Sequence, residues 1–514
     1  MTTLSAHDYL KKVLLSPVYD VAVNSDLVTM PLLSQELSNT IYLKREDQQP
    51  VKSFKLRGAY NKISQLSDAQ LQAGVIAASA GNHAQGVAYA ARMKRIRAVI
   101  VMPETTPDIK VDAVKRFGGE WVQVVMHGTS FDQASEHARL IAEQQGLTVV
   151  PPFDDPDVIA GQGTIARELL EQQPDLDVLF VAVGGGGLVA GISVYLKQLK
   201  PDIRIVAVEA EDSACLNAAL QAGQPETLPS VGIFADGVAV KTIGTETFRL
   251  CQQFVDEVVT VSSDEICAAI KDIFDDTRVI AEPAGALSVA AIRKYVGENN
   301  LHGKKIGGVL CGANINFHTL RYVSERCELG EQKEAVFAVK IPERKGAFRD
   351  FCKLLGGRVI TEFNYRYASG AEAHIFVGVK LRRGRAEYQE LQEQLVAEGY
   401  ASFDLSDNEL AKLHVRYMVG GRPQTLLNEH VFSFQFPEYP GALMNFLNTL
   451  GELWNITLFH YRNHGAADGL VLVGFELPEG SRAEFERHLD KLGYAHVEQT
   501  GNPAYQFFLS DTTS

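Results

Sequence analysis

Residues 178–187 read VLFVAVGGGG, an apolar run that ends in four consecutive glycines. The run Val178–Val183 predicts a strand buried on both of its faces. The residues Ala190–Leu199 that follow recur at helical spacing and predict a helix. Glycines between a strand and a helix leave backbone N–H groups free at the helix N-terminus, where an anion such as a phosphate binds well. The stretch therefore predicts a strand, an anion-binding loop and a helix.

The same alternation of strand and helix fills most of the chain before residue 311. Ile41–Leu43 predicts a strand, and Lys55 follows a polar loop at the start of the next helix. Val75–Ala78 predicts another strand, and the polar turn Ser79–His83 follows it. Strands that alternate with helices form parallel sheets covered by helices, so we expect the α/β class.

Composition excludes several classes of function. The chain has 514 residues, 49 basic against 63 acidic, and a net charge of −14. Because no stretch gathers lysine and arginine, we expect no nucleic-acid partner. The apolar runs are of strand length, so we expect no membrane span. Six widely spaced cysteines without metal-ligand spacing predict free thiols, a cytoplasmic location and no metal.

An internal repeat occupies the last third of the chain. The segment from Val336 through the turn at Gly346 reappears, about 95 residues later, as the segment from Phe432 through Gly441. Each copy predicts strand, turn, helix, strand, strand and helix, which is an α+β module. We therefore expect a first domain at 1–328, a linker at 329–333, and modules at 334–422 and 423–514.

The glycine loop is compatible with two kinds of ligand, a dinucleotide cofactor and a single phosphate group. The spacing Gly185-x-Gly187-x-x-x-Gly191, with Glu209 at the end of the next strand, is similar to a dinucleotide fingerprint and favours a nicotinamide-dependent oxidoreductase. That interpretation leaves the constellation at residues 79–86 (SAGNHAQG) unexplained, so a single phosphate is favoured. Glu209 could alternatively bind a cation or belong to a solvated acidic loop. A lysine such as Lys55, taken alone, is usually solvated.

Five motifs occur in the order found in threonine and serine dehydratases, which are fold type II pyridoxal-phosphate enzymes related to tryptophan synthase β. The chain is similar to these enzymes at residues 53–59 (SFKLRGA), 79–86 (SAGNHAQG), 184–187 (GGGG), 282–286 (EPAGA) and 311–314 (CGAN). The doubled module resembles the regulatory region of the biosynthetic threonine dehydratases. The resemblance therefore implies a two-lobed catalytic domain with parallel sheets, followed by a tandem ACT-like α+β regulatory domain.

The resemblance also implies a role for each motif. Lys55 would be the catalytic residue and hold pyridoxal 5'-phosphate covalently. The other residues of the cofactor site would be Phe54, Asn82, Gly184, Gly185, Gly186, Gly187, Leu188 and Cys311. The carboxylate of the substrate would be held by Ser79, Ala80, Gly81, Asn82 and His83. Cys311 would face the pyridine nitrogen, which a thiol cannot hold firmly protonated. Glu282 would support the site, or alternatively cap the helix that begins at Pro283.

The activity implied is the conversion of L-threonine into 2-oxobutanoate and ammonia, with some activity on L-serine. The enzyme would stand at the entry to isoleucine synthesis, be inhibited by isoleucine and be activated by valine. Tyr365 and Tyr461, each beside an arginine, are the candidate effector residues; the alternative is that both only pack a sheet. A homotetramer is implied by the resemblance alone. A catalytically inactive sensor with the same fold stays open as an alternative.

Overall fold

A computed structural model of the protein describes residues 4–331, 333–342, 351, 354–355, 358, 360–366, 372–415, 428–437, 445–446, 449–450, 454–462 and 468–509. It divides into two compact units, Met1–Cys327 and Glu328–Ser514. The division falls inside the helix Thr319–Gly330, so the predicted linker at 329–333 includes the last two residues of that helix.

The first unit contains a six-stranded sheet. Its first edge strand is antiparallel to its neighbour, and the other strands run parallel. In spatial order the strands are Leu27–Thr29, Thr40–Arg45, Lys305–Leu310, Val178–Ala182, Arg204–Ala210 and Glu257–Val261. The predicted strands at Ile41–Leu43 and Val178–Val183 are therefore confirmed, with small changes of length.

A second, four-stranded sheet forms the other lobe of this unit, and all of its strands run parallel. In spatial order they are Val122–Met126, Ala98–Met102, Val75–Ala78 and Thr148–Val149. The strand Val75–Ala78 has the bounds that the sequence predicted. One parallel and one predominantly parallel sheet confirm the α/β class and the two lobes expected for the catalytic domain.

Helices cover both sheets, as parallel strands joined by crossovers require. In chain order they are Ala6–Leu14, Pro31–Leu37, Lys55–Ser64, Asp68–Ala73, Asn82–Lys94, Asp108–Gly118, Phe131–Gln145, Pro156–Gln172, Gly187–Leu199, Cys215–Ala222, Thr245–Phe254, Ser263–Thr277, Pro283–Asn299 and Thr319–Gly330. Several begin with a side-chain cap: Ser262, for example, accepts a hydrogen bond from the N–H of Glu265 at the start of its helix.

A buried ion network anchors the helix that begins at Lys55. The guanidinium of Arg57 lies 2.7 Å from Glu46 and 2.5 Å from Glu168, and Lys44 lies 2.6 Å from Glu168. All four side chains are fully buried. Two positive and two negative charges balance, which such burial requires. The arginine two residues after Lys55 therefore fixes the start of its helix to neighbouring elements.

The second unit contains two similar four-stranded antiparallel sheets. The first consists of Ile360–Arg366, Glu372–Lys380, Glu334–Pro342 and Ser402–Asp404, in spatial order. The second consists of Asn455–Arg462, Asp468–Glu476, Glu429–Pro437 and His496–Glu498. Among the described residues of this unit, the helices are Arg385–Ala397, Glu409–Leu413, Arg482–Leu492 and Pro503–Phe508, and the predicted turns at Gly346 and Gly441 lie outside the described residues. The repeat therefore forms two copies of one module, each with a short fourth strand that the sequence did not predict.

Candidate active site

Three of the predicted site segments follow adjacent strands of the large sheet. Thr40–Arg45, Lys305–Leu310 and Val178–Ala182 are adjacent in the large sheet and parallel, and they lead to Lys55, Cys311 and the glycines respectively. In open α/β sheets, ligands bind at this edge.

The amine of Lys55 lies in a largely desolvated place. Its Nζ donates a hydrogen bond of 2.9 Å to the carbonyl oxygen of Pro152 and lies 5.3 Å from the ring centre of Phe54. Burial lowers the pKa of Lys55 to about 8, while Cys311 and Glu282 oppose the shift. A larger share of the amine is therefore neutral near neutral pH, as condensation with an aldehyde requires.

The segment before Lys55 is tied to the segment that contains Cys311. The N–H of Phe54 donates to the carbonyl of Cys311 (3.2 Å), and the N–H of Ala313 donates to the carbonyl of Lys52 (3.0 Å). The thiol of Cys311 donates to the carbonyl of Ala284 (3.3 Å). Burial raises the pKa of this thiol well above its ordinary value, so Cys311 stays protonated.

The turn Ser79–His83 follows the central strand Val75–Ala78 of the small sheet. The hydroxyl of Ser79 accepts from the N–H of Gly81 (3.2 Å), and the helix begins at Asn82 without a side-chain cap. Around Gly81, a Cβ would meet no atom of the described residues within 4 Å. This helix start is therefore open and suited to a carboxylate.

His83 is buried, and its Nε2 lies 2.8 Å from the carbonyl oxygen of Val150. Burial, together with the nearby charge of Lys55, lowers the pKa of His83 to about 3. The ring is therefore neutral, and Nε2 carries the hydrogen because a carbonyl can only accept. This arrangement favours the positional role that the sequence suggested over a role as general base.

The two lobes meet at Glu282. Its Oε1 accepts a hydrogen bond of 2.7 Å from Nδ2 of Asn82. Glu282 precedes the helix Pro283–Asn299 but its side chain does not cap it, so the capping alternative is wrong. Burial raises the pKa of Glu282 to about 7, with Asp236 adding to the shift. The carboxyl group is thus poised to hold or release a proton near neutral pH.

The glycine loop, residues 184–187, forms the predicted helix start. Gly186 has φ of +88°, a conformation that favours glycine, and the helix Gly187–Leu199 begins directly after it without a side-chain cap. A Cβ at Gly185 would lie 2.2 Å from the ring of Phe153. The loop therefore leaves room for the backbone alone and offers its N–H groups to an anion.

Sequence reasoning missed the residues that support this loop. Phe153 packs against it, and the hydroxyl of Thr247 donates to the carbonyl of Gly185 (2.7 Å). The carboxylate of Asp154 accepts from the N–H groups of residues 245–247, at 2.9 to 3.1 Å. The proline- and aspartate-rich residues 151–157 (PPFDDPD) signal a turn and a helix start, but not this packing.

Glu209 is not part of a solvated loop, so that expectation is wrong. It is fully buried, and its two carboxylate oxygens accept from the N–H groups of Leu216 and Asn217, at 2.7 and 2.8 Å. The helix Cys215–Ala222 therefore occupies the carboxylate that the dinucleotide interpretation needed for a ribose.

Among the described residues, no cluster of three or more His, Cys, Asp or Glu side chains could hold a metal.

Tyr365 and Tyr461 occupy matching places in the two modules. Each lies on the second strand of its module, opposite Ile375 and Val471 respectively. Their side chains lie outside the described part of the structure.

Across the described residues, no helix has the length and apolar character needed to span a bilayer.

Two lobes, a buried lysine and a glycine loop at a helix start are typical of the class of enzymes that bind a phosphorylated cofactor. Residues 19–312 match the family of pyridoxal-phosphate dependent enzymes. Residues 325–415 and 420–509 match the C-terminal regulatory domain of threonine dehydratase.

The chain is 58% identical to the biosynthetic L-threonine dehydratase of Escherichia coli (strain K12), over 98% of this chain and 97% of that protein. It is 49% identical to the mitochondrial threonine dehydratase of Saccharomyces cerevisiae, over 99% and 90%. The solved structure of processed threonine deaminase isoform 2 from Solanum lycopersicum is similar with a TM-score of 0.61 at 47% identity, covering 62% of this chain and 92% of that one. The chain belongs to the threonine dehydratase family of pyridoxal-phosphate dependent enzymes.

Proposed function

We propose that this chain converts L-threonine into 2-oxobutanoate and ammonia. The observation that carries the proposal is the desolvated amine of Lys55. It lies at the carboxyl edge of the large sheet, where the glycine loop begins. The relatives named threonine dehydratase support the choice of substrate. The water lost with the β-hydroxyl is consumed again when the product nitrogen is released as ammonia, so the reaction is balanced.

The residues present fit pyridoxal 5'-phosphate. Lys55 would hold its aldehyde carbon, the uncapped N-terminus of Gly187–Leu199 would hold its phosphate, and Asn82 and Cys311 would contact its ring. A neutral thiol at Cys311 suits a pyridine nitrogen that is not firmly protonated. When bound, the cofactor supplies an electron-withdrawing ring that stabilises negative charge at Cα of an amino acid.

The chain's own residues would position threonine and move its protons. The open helix start at Gly81 and Asn82, with the hydroxyl of Ser79, would bind the substrate carboxylate. Neutral Nζ of Lys55 would take the proton from Cα, because burial makes the neutral amine accessible near neutral pH. His83, neutral and bonded to Val150, would hold the turn in place.

Activity on L-serine is part of the proposal, because the two substrates differ by one methyl group. A methyl contributes only about 1 to 3 kcal/mol of discrimination in a pocket. Comparing kcat/KM for the two amino acids measures this preference. Release of an oxo acid also separates an enzyme from an inactive sensor with the same fold.

Lys55→Ala tests the covalent role of the lysine. We expect loss of threonine turnover and of the visible absorbance of bound cofactor, and in the unsubstituted protein we expect borohydride to fix the label on Lys55. Lys62→Ala is the matched control on the same helix: Nζ of Lys62 pairs with Asp155 at 2.7 Å. A label found on another residue, or normal turnover by Lys55→Ala, would refute the assignment.

The regulatory unit would bind isoleucine as an inhibitor and valine as an activator. Its two similar modules would offer two equivalent places for small amino acids, and Tyr365 and Tyr461 lie at matching positions in them. We further propose a homotetramer, which sedimentation would test. A reducing cytoplasm suits the buried thiols of Cys215, Cys251 and Cys311.

A further inference from the structure

A chain of hydrogen bonds connects both lobes through two asparagines. Nδ2 of Asn314 donates to the carbonyl of Val51 (2.8 Å) and to Oδ1 of Asn82 (2.7 Å). Nδ2 of Asn82 in turn donates to Oε1 of Glu282 (2.7 Å). Asn314 follows the strand Lys305–Leu310 and Glu282 precedes the helix Pro283–Asn299, both in the large lobe, whereas Asn82 belongs to the small lobe, so the chain of bonds crosses the site.

The direction of this chain is fixed at one end. A backbone carbonyl can only accept, so Val51 requires the NH₂ group of Asn314 rather than its oxygen. The same NH₂ group then faces Asn82, which must present its oxygen. The NH₂ group of Asn82 is thereby turned toward Glu282. The orientation of each amide follows from its partners and not from its shape, which is the same either way round.

Asn314 is itself held firmly relative to Lys55. Its neighbour Ala313 donates to the carbonyl of Lys52 (3.0 Å), and Ser53 pairs with Gly312 as an isolated antiparallel bridge. The backbone N–H of Asn314 also bonds to Glu282. A residue fixed in this way can hold another side chain in one orientation.

We infer that Asn314 is a positioning residue that acts through Asn82, turning the NH₂ group of Asn82 toward Glu282 and the cofactor ring. This inference rests on the proposed function, in which Asn82 donates to the ring oxygen of pyridoxal phosphate. Without Asn314, the oxygen of Asn82 loses its donor. The amide can then rotate and present that oxygen to Glu282 and the ring instead, because burial raises the pKa of Glu282 to about 7 and its carboxyl group can hold a proton to donate. A donor at the ring oxygen favours its ionised form, and an acceptor disfavours it.

Asn314→Asp tests the inference with little change of shape. A carboxylate can donate to neither Val51 nor Asn82, so the fixed direction is lost. We expect the variant to bind a full complement of pyridoxal phosphate. We also expect its visible absorbance to shift toward the near-ultraviolet form with an un-ionised ring oxygen. The kcat for threonine should fall about tenfold or more, the equivalent of one lost hydrogen bond.

Asn61→Asp is the matched control. Asn61 is buried, donates to the backbone carbonyl of Asp157 (2.6 Å) and accepts from the hydroxyl of Ser16 (2.7 Å), but does not contact Asn82. We expect its cofactor spectrum to equal that of the unsubstituted protein. If Asn314→Asp gives that same spectrum and an unchanged kcat, the inference is overturned.

A double-substitution cycle gives a second test. In an Asn82→Ala background, Asn314→Asp should change neither the spectrum nor kcat further, because its effect passes through Asn82. Additive effects would overturn the inference. If the unsubstituted protein, mixed with pyridoxal phosphate, has no visible absorbance, the proposed function fails and the inference fails with it. If the unsubstituted protein has the visible absorbance of bound pyridoxal phosphate and Asn314→Asp has the same spectrum, only the inference about Asn314 is refuted.

Discussion

The ring of Phe153 lies so close to Gly185 that a Cβ added at Gly185 would sit 2.2 Å from it. No real carbon pair approaches that closely, so ring and loop cannot both keep their places if residue 185 has a side chain. The ring of Phe153 therefore restricts position 185 of the glycine loop to a residue without a side chain.

Gly185→Ala should weaken cofactor binding and destabilise the catalytic unit by about 1 to 3 kcal/mol, the usual cost of overpacking. Gly297→Ala is the control, because a Cβ there meets no atom of the described residues within 4 Å and the position is helical. That control should be neutral or stabilising by up to about 1 kcal/mol. Titration with pyridoxal phosphate and thermal melting measure both effects; equal behaviour of the two variants would contradict the prediction.

Trapping of pyridoxal phosphate on Lys55 should depend on pH with a midpoint near 8. Burial lowers the pKa of Lys55 to about 8, so its neutral fraction rises as the pH increases through that value. At pH 8 this fraction is on the order of a hundredfold above that of an ordinary lysine. Borohydride reduction of cofactor-free protein after brief exposure to the aldehyde, followed by peptide mapping, measures the profile.

Lys62 serves as the internal control in the same experiment. The carboxylate of Asp155, bonded at 2.7 Å, helps to raise the pKa of Lys62 against the effect of burial. Peptides containing Lys62 should thus stay unlabelled at pH 8. Equal labelling of both lysines would contradict the assigned environments.

Arg57→Met should destabilise the catalytic unit by about 3 to 5 kcal/mol. It removes one partner from a buried ion network and leaves the carboxylates of Glu46 and Glu168 without their shared cation. Arg167→Met is the control, since its pair with Glu171 is exposed and contributes about 0 to 1 kcal/mol. Denaturant unfolding compares them, and a similar loss in both would refute the argument.

Isoleucine should weaken threonine binding and so raise the KM for threonine, and threonine should weaken isoleucine binding by the same factor as isoleucine weakens threonine binding. A factor of about 5 to 150 is typical of coupled sites. Tyr365→Ala or Tyr461→Ala should reduce the factor without changing kcat in the absence of isoleucine. Steady-state kinetics and calorimetry measure the two halves. Identical kinetics with and without isoleucine would remove the regulatory proposal.

Local sequence patterns predicted the elements well because each depends on neighbouring residues. The bounds of Val75–Ala78 and the helix start at Lys55 follow from apolar periodicity and the turns beside it. The repeat predicted two copies of one module, although the short strands Ser402–Asp404 and His496–Glu498 carry too few residues for a periodic signal.

Contacts between distant residues could not be read from those patterns. Asn314 bonds to Asn82 across 232 positions of sequence, and no local pattern encodes that pairing. Glu209 lies in an acidic run that suggests solvent, yet the helix Cys215–Ala222 donates two N–H groups to its carboxylate, and its side chain is buried. Tertiary burial decided the environment of both residues.

The first strand of the regulatory unit, Glu334–Pro342, lies inside its sheet and is paired on both sides, with Glu372–Lys380 and with Ser402–Asp404. The chain that leaves the catalytic unit therefore enters the middle of the first module and not its edge. Tension applied at this connection would load two ladders of hydrogen bonds in shear at once. The strand Glu334–Pro342 cannot separate from its sheet one neighbour at a time. The module should therefore stay attached to the connection until the whole sheet unfolds.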